Sequence, residues 1–319
     1  MINFWKKLSK PILILAPMAD VTDCAFRQII AKYGKPDVFY TEFVSVDGLM
    51  HPEAREKLLI DLKYAENERP IVAQMFGSKP ENFEQVARML VTMGFDGIDI
   101  NMGCPVKKVL NQNSCSALIR TPELAKEIIL ATKRGAGDIP VSVKTRIGFN
   151  TIDIKNWIPQ LLEAEPAALT VHLRTVKEMS LVPAHWDLMP SIVKLRDKMK
   201  KETLIIGNGD VVDINDAKEK VKNYGCDGVM LGRAIFGNPW LFKGNVPTLE
   251  EKLKVMIEHT KLFEEMLGGI KSFAIMKKHY KAYVNGFDGA KELRIKLMDA
   301  VDANEVEKIT NDFLLTTSV

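Results

Sequence analysis

Eight short apolar runs, separated by longer stretches of helical pattern, constrain this chain more than any other feature of its sequence. They are ILILAPM (12–18), VFYTEF (38–43), PIVAQMFG (70–77), GIDINMG (97–103), PVSVKTRIG (140–148), ALTVHLRT (168–175), LIIGNGD (204–210) and GVMLGR (228–233). Runs this short and this continuously apolar suit parallel strands covered on both faces. The spacers PENFEQVARMLVTMG and TPELAKEIILATKRG open with Pro near the first turn and close with Gly, the punctuation of a helix. Eight such units over roughly 240 residues predict an α/β fold of the (β/α)8 TIM-barrel type. An open doubly wound sheet is the competing architecture. The count of eight, and the lack of a G-x-G-x-x-G after the first run, argue against it.

From about residue 244 only helical patterns remain, over 248–267, 271–285 and 290–315. The predicted division is a barrel over 1–243 and a small all-helical C-terminal domain over 244–319. On the middle helix Phe273, Met276, Tyr280 and Val284 share one face, and Lys271, Lys278 and Lys281 share another. Residues 271–296 carry seven Lys or Arg against Asp288 and Glu292, which by itself reads as a solvated face. The net charge of +3 is compatible with a nucleic-acid partner without arguing for one. Cys24, Cys104, Cys115 and Cys226 form no C-x-x-C pair, and the five histidines are scattered. Neither disulfides nor a metal site is therefore expected, and a reducing cytoplasm is the default setting. The run ILILA is shorter than a signal-peptide core and reads as a first buried strand; no run approaches a membrane span.

Active sites of this fold lie at the C-terminal ends of the strands. Those ends read Ala16-Pro17-Met18, Thr41-Glu42, Gln74, Asn101 with the Cys104 turn, Lys144-Thr145-Arg146, His172 with Arg174, Asn208-Gly209-Asp210, and Gly232-Arg233. One lysine there is ordinarily a rim charge, and one histidine a structural residue. Polar groups closing nearly every strand instead predict a site for an anionic, planar ligand. The GNGD and GR ends of the last two strands suit a phosphate, through backbone N–H groups and an arginine fork. Cys104 sits in a sharp turn between Gly103 and Pro105, a poor place for packing. A thiol of ordinary pKa is mostly protonated near neutrality and can act as a general acid. Cys24 and Cys115 read as packing residues.

The stretches APMADVTDCAFR, TEFVSVDGL, VAQMFGS, GIDINMGCPVKKV, VSVKTRIG, TVHLRT, IIGNGDV and GCDGVMLGRAIFGNPWLF resemble the tRNA-dihydrouridine synthases across nearly the whole chain. The tail KKHYKAYVNGFDGAKELR is similar to the helical tRNA-binding domain of the bacterial B-type enzymes. The resemblance implies FMN at the barrel mouth, with its phosphate on Asn208, Gly209, Asp210, Gly232 and Arg233. Pro17, Met18, Ala19, Gln74, Lys144 and His172 would border its ring. NADPH or NADH would reduce the flavin, N5 would pass a hydride to C6 of a D-loop uridine, and Cys104 would protonate C5. Asn101, Lys107, Lys108, Arg146, Arg174, Lys278 and Lys281 become candidate tRNA contacts, and a monomer is the default state.

Some positions depart from the family pattern. Asp20, Asn113 and Cys115 stand where glycines are usual, and Val182 and His185 replace a glycine and an acidic residue. An FMN-dependent dehydrogenase of a free pyrimidine, such as dihydroorotate, is the alternative enzyme, but it has no need of the lysine-bearing tail. A catalytically impaired tRNA-binding paralogue is the third reading, motivated by the glycine losses.

Overall fold

The computed structural model describes residues 3–317, which fall into two compact units. Described residues up to Pro17, together with Pro36–Gly232, form the first; Met18–Lys35 and the chain from Arg233 onward form the second.

In the first unit eight strands run β1 Ile12–Leu15, β2 Phe39–Ser45, β3 Ile71–Phe76, β4 Gly97–Met102, β5 Val141–Arg146, β6 Ala168–His172, β7 Leu204–Asn208 and β8 Gly228–Leu231. All pair in parallel, in the order β1-β8-β7-β6-β5-β4-β3-β2. A bridge between Ile14 and Val38, with the Leu15 amide donating to the Val38 carbonyl, closes the sheet into the expected barrel. Alternate residues face inward. Near the strand starts that interior is apolar: Ile12, Ile14, Val38, Val72, Ala168 and Ile206 pack with Trp5 from the N-terminal 3-10 turn. Toward the strand ends it turns polar, and the register sets the rows. Gln74 pairs with Asp99 and Asp99 with Ser142; Asn101 pairs with Lys144; Arg146 pairs with His172, and His172 with Asn208.

The helices Pro80–Thr92 and Pro122–Ala136 pack against each other on the barrel's outside. Gly135, expected as a terminator, lies inside the second helix, and Gly137 caps it. A Cβ on Gly135 would come within 2.1 Å of the Glu84 carbonyl oxygen, so the glycine sets the helix separation. Gly135→Ala should destabilise the protein by about 2–3 kcal/mol through overpacking, read as a lower thermal midpoint.

In the second unit the helix Cys24–Tyr33 packs with the helices Leu249–Leu267, Met276–Tyr283, Ala290–Asp299 and Ala303–Thr317. Thr248 and Glu251 form a capping box that starts the first of the C-terminal helices. The middle helix is shorter than expected, with Phe273–Ile275 as a 3-10 turn ahead of it. The segment expected as one helix over 290–315 is two. The Asp302 carboxylate accepts from the Glu305 amide and restarts the chain as a new helix. Among the described residues, no helix is long and apolar enough to cross a membrane.

His259 and His279 form this unit's most unusual contact. Both are fully buried, their rings 4.6 Å apart, with His259 stacked on Phe26. Among the described residues, none of the four ring nitrogens has a hydrogen-bond partner. Burial holds both imidazoles neutral, lowering His279 to about 3 and His259 well below its ordinary value. The unfolded chain takes up protons below about pH 6.5 while the folded chain does not. Stability should therefore be insensitive to these groups above pH 6.5. It should fall by up to ~2.7 kcal/mol per pH unit as the pH drops from 6.5 toward 4. His279→Phe should roughly halve that slope in acid titrations followed by circular dichroism.

Candidate active site

The end of β4 is built as a chain of side-chain hydrogen bonds. Asp99 and Asn101, two residues apart, both point into the barrel. The Gln74 amide donates through Nε2 to Asp99 Oδ2 (2.8 Å), and the Ser142 hydroxyl donates to Asp99 Oδ1 (2.6 Å). Asn101 Nδ2 donates to Gln74 Oε1 (3.0 Å). Asn101 Oδ1 then accepts from the backbone amides of Gly103 and Cys104, each at 3.0 Å. The turn is also held from outside: Ser116 donates to the Cys104 carbonyl (2.7 Å), and Arg146 Nε to the Gly103 carbonyl (2.8 Å).

The Cys104 thiol is half-buried, whereas the other three cysteines are buried. A hydrogen bond with the Cys115 thiol lowers Cys104 to about 6. Burial opposes that shift; the Val106 amide and the charges of Lys144 and Arg146 reinforce it. The same bond, with burial, pushes Cys115 well above the usual thiol range. Cys115 thus does more than pack. Its backbone is left-handed (φ 55°), as are Asp20 (φ 53°) and Asn113 (φ 54°), three of the four positions where glycine was expected; Val182, the fourth, is not at positive φ.

Lys144 lies beside Asn101 on β5. Burial and the neighbouring Arg146 lower its ammonium to about 8, while Asp99 and Cys104 raise it through space. Burial pushes Asp99 up to about 6, against the bonds from Ser142 and Gln74 and the charge of Lys144. The strand ends therefore bring together the buried Asp99 carboxylate, an acidified thiol and an ammonium whose donors meet no acceptor among the described residues. With the second N–H of Gln74, that donor set fits the polar edge of a planar heterocycle.

Two arginines are placed differently from the sequence expectation of open phosphate contacts. Arg146 and Arg174 are only 6% and 3% exposed. Arg146 donates to the carbonyls of Gly103, Thr175 and Met179. Arg174 donates to the Val182 carbonyl, to His172 Nε2 (3.2 Å) and to the carboxylate of Asp210. Both guanidiniums tie down the loop after β6. Because arginine only donates, His172 accepts through Nε2 and carries its proton on Nδ1. The Asp210 carboxylate also accepts from the Ala184 amide (2.8 Å). Gly209 (φ 126°) has its carbonyl taken by the Trp186 indole, and Asn208 donates to the Met230 carbonyl. Pro17 and Gly232 close β1 and β8 in this unit. Lys107 and Lys108 are exposed on the short helix after the Cys104 turn.

The second unit carries the remaining candidates. Met18 and Thr22 bond to each other across a turn, Ala19 and Arg233 are exposed, and Lys278 reaches the Asp20 carbonyl (3.1 Å). Lys281 is exposed on the same helix as Lys278. Sequence reasoning missed Asp99 and Ser142. The signal was present: Asp99 and Asn101 are the polar pair in an otherwise apolar strand and, two apart, share its inward face.

Residues 14–317 match the family described as Dihydrouridine synthase (Dus). The chain belongs to the dihydrouridine synthase family. It is an oxidoreductase, since a dihydrouridine differs from uridine by two electrons and two protons across one double bond. A Staphylococcus aureus (strain MRSA252) protein named "Probable tRNA-dihydrouridine synthase" is 44% identical over 98% of this chain and 95% of its own length. A Bacillus subtilis (strain 168) protein named "Probable tRNA-dihydrouridine synthase 2" is 41% identical over 98% and 96%. Among solved structures, histamine dehydrogenase from Rhizobium sp. 4-9 superposes with a TM-score of 0.55 at 13% identity. That match covers 82% of this chain and 51% of the other, and it is a likeness of fold.

Cys115→Gly removes the thiol partner and relaxes the left-handed backbone. The loss of a hydrogen bond to a charged group should raise the Cys104 pKa by about 1–2 units. Cys104 should then be alkylated several-fold more slowly by iodoacetamide at pH 7, with the modified residue identified by mass spectrometry.

Proposed function

We propose that this chain is a tRNA-dihydrouridine synthase that reduces a D-loop uridine of tRNA to 5,6-dihydrouridine. The observation that carries the reading is the Cys104 turn, clamped at the end of β4 beside Lys144. It sets a proton source and a cation on one strand-end rim in a family that saturates uridine.

FMN is the cofactor of this proposal, and the residues fit it. The Gln74 amide and Lys144 would meet the polar edge of its ring, with Pro17, Met18, Ala19 and His172 bordering it. The backbone at Asn208, Gly209, Asp210 and Gly232, with Arg233, would receive its phosphate. Bound there, FMN would bring the redox chemistry that side chains lack, carrying a hydride equivalent from NADPH or NADH to C6 of the uracil.

The protein's own part is positioning and proton delivery. Lys144 offers a positive charge that stabilises negative charge developing on the ring edge. Asn101, already anchored by Gln74, orients the turn and presents the uracil to it. Cys104 gives its proton to C5. In the free protein the hydrogen bond with Cys115 favours its thiolate. Anionic ligands brought next to it disfavour that thiolate and restore the proton. Lys107 and Lys108 on the short helix, and Lys278 and Lys281 on the C-terminal helices, supply phosphate contacts. The barrel over 1–243 is then catalytic, the helices over 244–319 hold tRNA, and the monomeric enzyme acts in the cytoplasm. The target base must leave its stack, which is easiest from a tRNA loop.

The purified protein should show a flavin absorbance spectrum, and cells lacking it should lose dihydrouridine from tRNA. Cys104→Ala should keep the flavin colour and lose at least about 10²-fold in turnover. Full activity in that variant would remove Cys104 from the role of acid.

A further inference from the structure

Asp99 touches neither the rim nor the thiol, and no step of the chemistry above uses it. It is fully buried, as are its partners Gln74 and Ser142, and Asn101 is nearly so. From Asp99 the bonds run in one direction: Gln74 Nε2 to Asp99, Asn101 Nδ2 to Gln74 Oε1, and the amides of Gly103 and Cys104 to Asn101 Oδ1. The two ends of this relay have fixed polarity. A carboxylate can only accept, and backbone N–H groups can only donate. Between them the Gln74 and Asn101 amides have one orientation each that satisfies every bond. Flipping either one sets donor against donor or acceptor against acceptor, at buried positions where that is costly.

We propose that Asp99 is a positioning residue whose buried negative charge sets the direction of the Gln74–Asn101 relay and so holds the Cys104 turn in its working geometry. The inference builds on the function proposed above. It assigns Asp99 a role through two neutral amides rather than by contact with substrate or cofactor. The second arm of the carboxylate, on Ser142, and its through-space attraction to Lys144 keep the charge in place.

The relay predicts an unusual rescue. Gln74→Glu alone sets two carboxylates against each other. Asp99→Asn combined with Gln74→Glu moves the charge one link along and leaves every bond makeable. The amide now at position 99 would donate to the carboxylate now at position 74. That carboxylate would still accept from Asn101, and Asn101 would still accept from the turn. Net charge is then the same as in the wild type.

The test follows the rate of iodoacetamide alkylation at Cys104 against pH in the purified full-length protein, together with dihydrouridine formed in tRNA. Gln74→Glu should move the Cys104 profile upward by about a pH unit and lower turnover at least about tenfold. The double variant should return the profile to near the wild-type position, while its turnover stays low because position 74 no longer offers an N–H to the ring edge. An unmoved profile in Gln74→Glu, or a double variant whose profile stays with that of the single one, would overturn the proposal. Should Gln74→Glu fail to fold, the near-isosteric Asp99→Asn carries the test: its profile shifts upward if the charge sets the relay, and stays put if it does not. Alkylation needs no substrate. A wild-type protein that makes no dihydrouridine would defeat the functional reading while the Cys104 profiles still decide the relay.

Discussion

The site depends on a parallel sheet closed on itself, in which every second side chain must find room inside a narrow barrel. That interior cannot be uniformly apolar if the strand ends are to carry chemistry. The chain divides it along the strands. Trp5, Ile12, Val38, Val72 and Ile206 fill one end, and Gln74, Asp99, Asn101, Ser142 and Lys144 fill the other. Hydrogen-bonded register turns this division into rows, so residues far apart in sequence become neighbours without any loop placing them. The polar row is therefore held by the barrel wall itself rather than by a loop.

Such a row is costly to build. Each buried ion forfeits hydration worth about several kcal/mol unless partners replace it. The structure answers each charge separately. Asp99 receives two hydrogen bonds, Arg146 reaches three carbonyls, and Arg174 reaches a carboxylate, a carbonyl and an imidazole. Lys144 has only the field of Asp99 and Cys104 among the described residues, and it is the group whose pKa drops toward neutrality. Groups left short of partners in a protein that satisfies their neighbours mark where a ligand completes the set.

How much of this was legible in the sequence follows from what burial writes into it. Strands covered on both faces leave continuous apolar runs, so all eight were readable. Direction of charge was not readable. The sequence displays Arg146 and Arg174 as cations but not the carbonyls they face, and an arginine that anchors a loop reads like one that waits for phosphate. The C-terminal helices were joined because apolar periodicity continues through 300–302; the Asp302 and Glu305 pair was the signal that separates them. His259 and His279 passed as scattered histidines because 20 residues of sequence separate two rings that lie face to edge.

The departures from glycine are the most informative of these differences. A side chain at positive φ carries strain of about 1–3 kcal/mol, so its retention asks for a compensating contact. Asp20 has one in Lys278, whose ammonium lies 3.8 Å from its carboxylate. Cys115 has one in Cys104: the left-handed backbone that glycine would occupy without strain here brings a second thiol against the first. A glycine would leave the turn's shape intact but remove the hydrogen bond that acidifies Cys104. The substitution that looked like damage to the loop is thus better read as tuning. Loop shape is preserved by the φ value, and the proton affinity of Cys104 is what changes.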